Sequence, residues 1–177
     1  MPDLSSPKTR HLTLVLGGAR SGKSMLAEQL LTAGPGPWAY IATAQAFDDE
    51  MRQRIGLHQA RRKQGWMTFE APIDLPQVLA SQSKDLPVLV DCLTLWLTNL
   101  MLGDHNVAQA TQDLADALAG RVKPAILVSN EVGLGIVPDN ALARAFRDEA
   151  GRLNQRMAQV ADRVLFVAAG LPLTLKG

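Results

Sequence analysis

The residues best suited to chemistry form a segment of the pattern Gly-x-x-x-x-Gly-Lys-Ser near the start of the chain. Glycine lets the backbone wrap its N–H groups around phosphate oxygens, and a following helix points its positive end at the anion. In such a loop, Lys23 reaches the β- and γ-phosphates, and the Ser24 hydroxyl is a ligand for Mg²⁺. A glycine-rich turn that only begins a helix is the alternative, but it does not account for the full pattern between a strand and a helix. The predicted nucleotide-binding residues here are Gly17, Gly18, Ala19, Arg20, Ser21, Gly22, Lys23 and Ser24.

A second candidate for the same site is Asp91, which ends the apolar run Val88–Asp91. An acid at the end of a strand orients Mg²⁺ in many nucleotide-binding enzymes. Acids at strand ends are also common without any such role, and that alternative stays open. We expect Ser24 and Asp91 to hold Mg²⁺ together with a bound ATP or GTP.

A predicted helix over Asp48–Lys63 carries one histidine among arginines. Cations on an inward face are costly unless they meet an anion, and a triphosphate is such an anion. An imidazole among cations is favoured to be neutral and nucleophilic near neutral pH, although an isolated histidine is more often structural. Glu70 is a further candidate, for contact with a base or ribose. The predicted inward face comprises Phe47, Met51, Arg54, Ile55, His58, Arg61 and Arg62.

Short apolar runs and helical patterns alternate along the chain, and these elements must position the candidate residues. Apolar runs without alternation are typical of strands buried on both faces, and strand–helix alternation predicts a mainly parallel sheet flanked by helices. The run Leu171–Lys176 is expected to add a C-terminal antiparallel strand. The other predicted strands are Leu12–Leu16, Trp38–Ala42, Val88–Asp91, Ala125–Ser129 and Val164–Ala168, and the predicted helices are Lys23–Thr32, Asp48–Lys63, Leu75–Ser83, Ala108–Leu118 and Asn140–Ala161.

Composition limits the class of protein. The chain has 177 residues, of which 47% are hydrophobic and 20% charged, which suits one packed domain and excludes wholesale disorder. The formal charge of +1 provides no basic field for nucleic acid. One cysteine, Cys92, excludes an internal disulfide and fits a reducing compartment, and no apolar run suits a signal peptide or a membrane span. We expect a flexible extension over residues 1–10, one P-loop nucleotide-binding catalytic domain over residues 11–177, a cytoplasmic location and no stable membrane insertion.

Several segments together resemble one enzyme family. They are the phosphate loop and the ranges Tyr40–Thr43, Asp48–Met51, Arg54–His58, Asn130–Pro138, Arg144–Asp148 and Gly151–Gln155. The chain is similar to the bifunctional cobalamin-biosynthesis enzymes that act as adenosylcobinamide kinase and adenosylcobinamide-phosphate guanylyltransferase. The resemblance covers nearly the whole chain after the first ten residues. It implies a P-loop NTPase fold and a homotrimer with active sites at subunit interfaces.

The resemblance also implies two reactions and a set of residues. ATP or GTP would phosphorylate adenosylcobinamide, and GTP would then transfer GMP through a histidine to give adenosylcobinamide-GDP. The nucleophilic histidine falls on His58, and Lys23 acts in the kinase step. Two positions depart from residues common in the family, namely Ala44 in place of Ser and Gln59 in place of Arg. Beyond the phosphate loop, the implied nucleotide contacts are Ala42, Thr43, Ala44, Gln59, Ala60, Arg61, Arg62, Glu70 and Asp91.

Two other functional classes are kept as alternatives. A small-molecule kinase would use the phosphate loop alone and would not need His58. A nucleotide-binding module would change shape without consuming nucleotide. The sequence leaves the preferred phosphoryl donor and the general base of the kinase step open. It also leaves open whether Asn130–Gly133 contacts substrate or takes part in catalysis, or is only a turn before a helix.

Overall fold

The computed structural model describes residues 12–45 and 64–177. Within these ranges, seven strands form one sheet in the order β3-β2-β4-β5-β1-β6-β7. All neighbouring strands are parallel except β6 and β7, which are antiparallel. The strands are β1 (Leu12–Gly17), β2 (Trp38–Ala42), β3 (Trp66–Glu70), β4 (Val88–Asp91), β5 (Ala125–Asn130), β6 (Arg163–Ala168) and β7 (Leu171–Lys176), and the described helices are α1 (Lys23–Thr32), α2 (Leu75–Ala80), α3 (Leu93–Leu102), α4 (Val107–Ala119) and α5 (Ala141–Val160).

Helices cover the sheet on both faces because its central strands are apolar on both sides. Successive residues of β1 point to opposite faces, so Leu14 packs with α2 to α5 while Val15 packs against α1. Trp96 of α3 is fully buried, and its indole N–H donates to the Ile73 carbonyl at 2.8 Å. Two separate apolar layers therefore hold the sheet, one on each face.

Most of the predicted elements are confirmed, including the mainly parallel sheet and the antiparallel last strand. The predicted helix Leu75–Ser83 ends earlier, at Ala80, and Asn140 precedes the last helix as its cap, accepting from the Ala143 N–H at 2.7 Å. Two elements were not predicted: strand β3 and helix α3. The predicted helix Asp48–Lys63 and the predicted extension over residues 1–10 lie outside the described residues.

The last strand is held at both of its ends, by the phosphate loop at one and by the last helix at the other. The turn before β7 lies against the phosphate loop, where the Gly170 N–H donates to the Ser21 carbonyl at 2.8 Å. At the other end, the Lys176 ammonium donates to the carbonyls of Ala158, Gln159 and Ala161, which end α5. A cation at these carbonyls also interacts favourably with the helix dipole.

Within the described ranges, every helix is too short or too polar to cross a lipid bilayer.

Candidate nucleotide-binding site

The phosphate loop connects the end of β1 to the first turn of α1, as its sequence predicts. Gly22 has a φ of 99°, a left-handed conformation that favours glycine, and a Cβ there would lie 3.2 Å from the Gly170 Cα. A Cβ on Gly17 would lie only 2.4 Å from the Val167 carbonyl oxygen. Both glycines are therefore required by close approach of the β6–β7 region, and not only by loop flexibility.

The lysine of the loop is held in place by the loop itself. Lys23 begins α1 and is only 8% exposed, and its ammonium donates to the Gly18 carbonyl at 2.7 Å. The Ser21 hydroxyl is buried and has no hydrogen-bond partner among the described residues. A buried hydroxyl and an ammonium inside a curled loop at a helix N-terminus form a concave set of donors. Such a set binds an oxyanion.

Asp91 lies at the same edge of the sheet, two strands away from the loop. β5 separates β4 from β1, so the strand ends that carry Asp91 and Gly17 are about 10 Å apart at normal strand spacing. The Tyr40 hydroxyl donates to Asp91 Oδ2 at 3.2 Å. This arrangement places a carboxylate across the cleft from the phosphate loop and restricts its rotation.

Glu70 lies at the far end of this edge. It pairs with Ala42 across β3 and β2, and Ala42 pairs with Asp91 across β2 and β4. Glu70 is exposed, and four strand spacings, about 19 Å, separate the ends of β3 and β1. The structure therefore brings the phosphate loop and Asp91 toward one cleft and leaves Glu70 remote from a phosphate bound in the loop. A contact between Glu70 and the base or ribose stays a prediction.

Thr43 anchors the end of β2 next to Asp91. It is fully buried, and its hydroxyl donates to the Cys92 carbonyl at 2.7 Å and accepts from the Cys92 N–H at 2.9 Å. Its own carbonyl accepts from the Asn99 amide at 2.8 Å. The side chain of Thr43 is thus engaged with the backbone after β4, so any contact with nucleotide would come from other atoms. Sequence reasoning assigned it to nucleotide and missed this anchoring.

The remaining predicted residues divide into two groups. Ala42 and Ala44 are partly buried at the end of β2 and in the loop that follows it. The predicted nucleophile and its neighbours lie outside the described residues, as does the rest of the predicted basic face. These residues are His58, Gln59, Ala60, Arg61 and Arg62, together with Phe47, Met51, Arg54 and Ile55.

Burial changes the acidity of the residue after Asp91. Burial of the Cys92 side chain and, to a smaller extent, the nearby Asp91 carboxylate raise the pKa of its thiol to about 11. The thiol is therefore neutral at physiological pH. Cys92 is thus a small residue of the core, and a thiolate nucleophile at this position is unfavourable.

The donors at the cleft suit a magnesium ion that arrives with nucleotide. Ser24 and Asp91 offer a hydroxyl and a carboxylate, the hard oxygen donors that Mg²⁺ prefers. Mg²⁺ bound with nucleotide usually takes one or two protein ligands and completes its octahedron with phosphate oxygens and water. Across residues 12–45 and 64–177, no cluster of three or more His, Cys, Asp or Glu side chains could hold a metal by itself. The donor set therefore fits Mg²⁺–nucleotide.

A buried polar network supports the segment after β5, which sequence reasoning left open. The Asn130 N–H donates to Thr94 Oγ1 at 2.7 Å, and the Asn130 carbonyl accepts from the Asn154 amide at 3.2 Å. Ser129 donates to Asn154 Oδ1 at 2.7 Å. The next residue, Glu131, donates its N–H to the Gly17 carbonyl at 3.0 Å. The segment is therefore fixed against the phosphate loop.

The surface beyond this segment is apolar. Leu134 is 81% exposed and Ile136 is 99% exposed, and Leu142, near the start of the last helix, is exposed as well. Leu142 lines a groove of about 310 Å³ with Met101, Leu102 and Phe146. A second cavity, of about 270 Å³, lies at the opposite, amino edge of the sheet, remote from the phosphate loop.

Comparison with known proteins gives consistent results. A sequence model of the family described as cobinamide kinase / cobinamide phosphate guanyltransferase matches residues 13–175. The bifunctional adenosylcobalamin biosynthesis protein CobP of Pseudomonas aeruginosa is 50% identical over 170 residues, which cover 93% of this chain and 96% of that protein. The bifunctional adenosylcobalamin biosynthesis protein CobU of Salmonella typhimurium is 42% identical and covers 93% of this chain and 99% of its own length.

Solved structures support the fold. The flagellar accessory protein FlaH from Methanocaldococcus jannaschii superposes with a TM-score of 0.53 over 94% of this chain and 78% of its own. The two sequences are 16% identical, so this likeness concerns architecture alone. Together with the phosphate loop at the carboxyl end of β1, it identifies a P-loop NTPase fold.

Proposed function

This chain belongs to the cobinamide kinase / cobinamide phosphate guanyltransferase family, and from that premise we propose that one nucleotide site serves two successive transfers. The protein is a bifunctional transferase of adenosylcobalamin biosynthesis. In the first reaction it phosphorylates adenosylcobinamide, and in the second it transfers GMP to the phosphorylated corrinoid. The observation that carries the proposal is the pairing of a formed phosphate loop around buried Lys23 with Asp91 at the same edge of the sheet.

The kinase step uses the loop and the first turn of α1. The loop amides and Lys23 bind the β- and γ-phosphates and offset the charge that develops on the transferred group. Ser24 and Asp91 would hold Mg²⁺, which would neutralise phosphate charge when bound. Backbone amides do not distinguish one base from another, so the loop accepts either ATP or GTP as phosphoryl donor.

The guanylyl step uses His58. Its neutral imidazole attacks the α-phosphorus of GTP, the N–P bond forms, and pyrophosphate leaves with the electron pair of the bond that breaks. A phosphate oxygen of adenosylcobinamide phosphate then attacks the same phosphorus and releases the imidazole, which gives adenosylcobinamide-GDP. Arg61 and Arg62 follow His58 by three and four residues in sequence, and their positive charges would offset charge on the phosphorus under attack.

Assembly and location belong to the same proposal. We infer a homotrimer with active sites at subunit interfaces, supported by resemblance to the family, and a cytoplasmic location, supported by the single buried thiol of Cys92. Sedimentation equilibrium would test the assembly. The expected mass is three times 19.1 kDa, and a monomer mass at working concentration would contradict it.

The decisive experiment follows label from GTP onto the protein. Purified protein is incubated with Mg²⁺ and GTP labelled at the α-phosphate, denatured, and examined for bound label. We expect acid-labile, base-stable label on wild type and none on His58→Ala. His105→Ala is the matched control, since His105 is exposed on the loop between α3 and α4 and should label as wild type does.

The alternatives give different outcomes. A kinase that used only the phosphate loop would transfer label from the γ-phosphate of the nucleotide to cobinamide, and His58→Ala would not affect it. A nucleotide-binding module would bind GTP and show neither transfer. Label on His58→Ala equal to that on wild type would refute the assigned nucleophile and leave the kinase step standing.

A further inference from the structure

The kinase step requires a group that accepts the proton of the acceptor hydroxyl. In the described part of the chain, three carboxylates end a strand or directly follow one at the carboxyl edge of the sheet: Glu70, Asp91 and Glu131. Glu70 lies about four strand spacings, or about 19 Å, from the phosphate loop. Asp91 accepts from Tyr40 and is the proposed ligand of Mg²⁺. Of the three carboxylates, Glu131 is therefore the one best placed to accept this proton.

Glu131 lies directly beside the phosphate loop. Asn130 pairs with Gly17, and the Glu131 N–H donates to the Gly17 carbonyl at 3.0 Å, which continues the ladder by one residue. Because β5 runs between β1 and β4, Glu131 lies between the phosphate loop and the strand that ends in Asp91. A γ-phosphate in the loop and a carboxylate on this residue would thus share one end of the cleft.

The Glu131 carboxylate is held by one of its oxygens. Oε1 accepts from the Gly133 N–H at 2.5 Å, while Oε2 has no partner within the described ranges. The backbone on which it stands is fixed by the Thr94 and Asn154 bonds to Asn130. A carboxylate with one oriented oxygen and one available oxygen has the geometry of a general base.

The surroundings of Glu131 suit the acceptor. The chain beyond it exposes Leu134 and Ile136 almost completely, and the apolar groove lined by Leu142 and Phe146 is on the same side. Large exposed apolar surface beside a polar reaction centre is typical of a ligand-binding site. A cobinamide, which carries its hydroxyl on an arm of a large ring system, would place that ring on this surface.

We propose that Glu131 is the general base of the kinase step, an assignment that rests on the proposed function. The carboxylate takes the proton from the corrinoid hydroxyl while that oxygen forms its bond to the γ-phosphorus. The bond between the γ-phosphorus and the β–γ bridging oxygen breaks, and its electron pair leaves with the nucleoside diphosphate. The protonated carboxyl then returns its proton to water.

The test uses Glu131→Gln, whose amide oxygen still accepts from the Gly133 N–H and so preserves the turn. We expect its kcat for cobinamide phosphorylation to fall about 10²- to 10⁴-fold, the usual contribution of a general base, with little change in the KM for cobinamide. Labelling of the chain by α-labelled GTP should persist, because the imidazole is the nucleophile there. Glu149→Gln is the matched control: Glu149 pairs with Arg152 on α5, and its loss should leave both reactions unchanged.

Each other outcome counts against the assignment. Phosphorylation by Glu131→Gln at the wild-type rate would refute it. An equal loss of phosphorylation and of labelling would make Glu131 a structural residue of the cleft and would refute it as well. A wild-type protein that labels with GMP but does not phosphorylate cobinamide would overturn the kinase half of the proposed function, and the role of Glu131 with it.

Discussion

Replacing Thr43 with valine would remove two buried hydrogen bonds at nearly constant side-chain size. The hydroxyl both donates to and accepts from the backbone of Cys92, at 2.7 and 2.9 Å, and Thr43 has no exposed surface. Water cannot readily replace the lost partner there. The variant would leave the Cys92 N–H without a partner in an apolar surrounding, whereas the Cys92 carbonyl would keep the bond from the Trp96 N–H at 3.2 Å.

The expected cost follows from the two lost bonds. A buried N–H without a partner costs about 1–3 kcal/mol, the lost second bond to the carbonyl costs about 1 kcal/mol, and burial of the new methyl group returns about 1 kcal/mol. We therefore expect Thr43→Val to lower the free energy of unfolding by about 1–3 kcal/mol. For a chain of this length, such a loss lowers Tm by about 2–12 °C.

Urea unfolding monitored by circular dichroism would measure this effect, with Thr43→Ser as the matched control. Serine keeps the hydroxyl and loses a methyl group, which costs about 1 kcal/mol in a packed site. Thr43→Val should be the less stable of the two variants. If valine proved as stable as serine or more so, the hydroxyl bonds would not be what anchors the end of β2.

Three further outcomes follow from the described contacts. Tyr40→Phe removes the donor to Asp91 and should weaken GTP binding about fivefold in Mg²⁺ but not in EDTA, by calorimetry; equal weakening in both would mean that Tyr40 does not act through the metal ligand. Burial raises the pKa of the Cys92 thiol from 9.0 to about 11, so the unfolded chain loses this proton at lower pH than the folded one. Wild type should therefore lose about 2 kcal/mol of unfolding free energy relative to Cys92→Ala between pH 9 and 11, and parallel pH profiles would contradict this. Arg121→Met removes the donors to three carbonyls that flank the turn before β4 and should cost about 2–4 kcal/mol in urea unfolding, whereas an unchanged midpoint would show that these bonds contribute little.

The sequence predicts the phosphate loop and the strands that carry it because both depend on local patterns. Gly22 has a left-handed φ, which glycine adopts most easily. A strand that is buried on both faces, such as β1, has a nearly uninterrupted run of apolar residues in its sequence. The end of β4 at Asp91 was located for the same reason. These features depend on residues that are neighbours in sequence, so a single sequence is enough to predict them, without an alignment of relatives.

Two elements were not predicted because their patterns are atypical. Helix α3 is apolar on nearly every side, since Leu93, Trp96, Leu97 and Leu100 are all buried, and a helix without a polar face has no clear period. Strand β3 was not predicted for the opposite reason, because it has too few buried apolar residues rather than too many. It lies at the edge of the sheet and is largely exposed, so it contains no continuous apolar run.

The hydrogen bonds that anchor the site could not be predicted from the sequence. Thr43 meets Cys92 across 49 residues, and Ser129 meets Asn154 across 25, while neither pair belongs to a recognisable motif. A threonine after a strand is equally consistent with a ligand contact and with a structural bond. Only the packing of distant segments distinguishes the two roles.

The pairing of β1 has a consequence for how the protein is made. The strand that carries the phosphate loop has both of its sheet neighbours, β5 and β6, in the last third of the chain. Closing loops of more than a hundred residues is entropically slow, and during synthesis those partners emerge last. The nucleotide site therefore forms only when nearly the whole chain is available, so a nascent chain should acquire affinity for GTP late, and binding of GTP reports the completed fold.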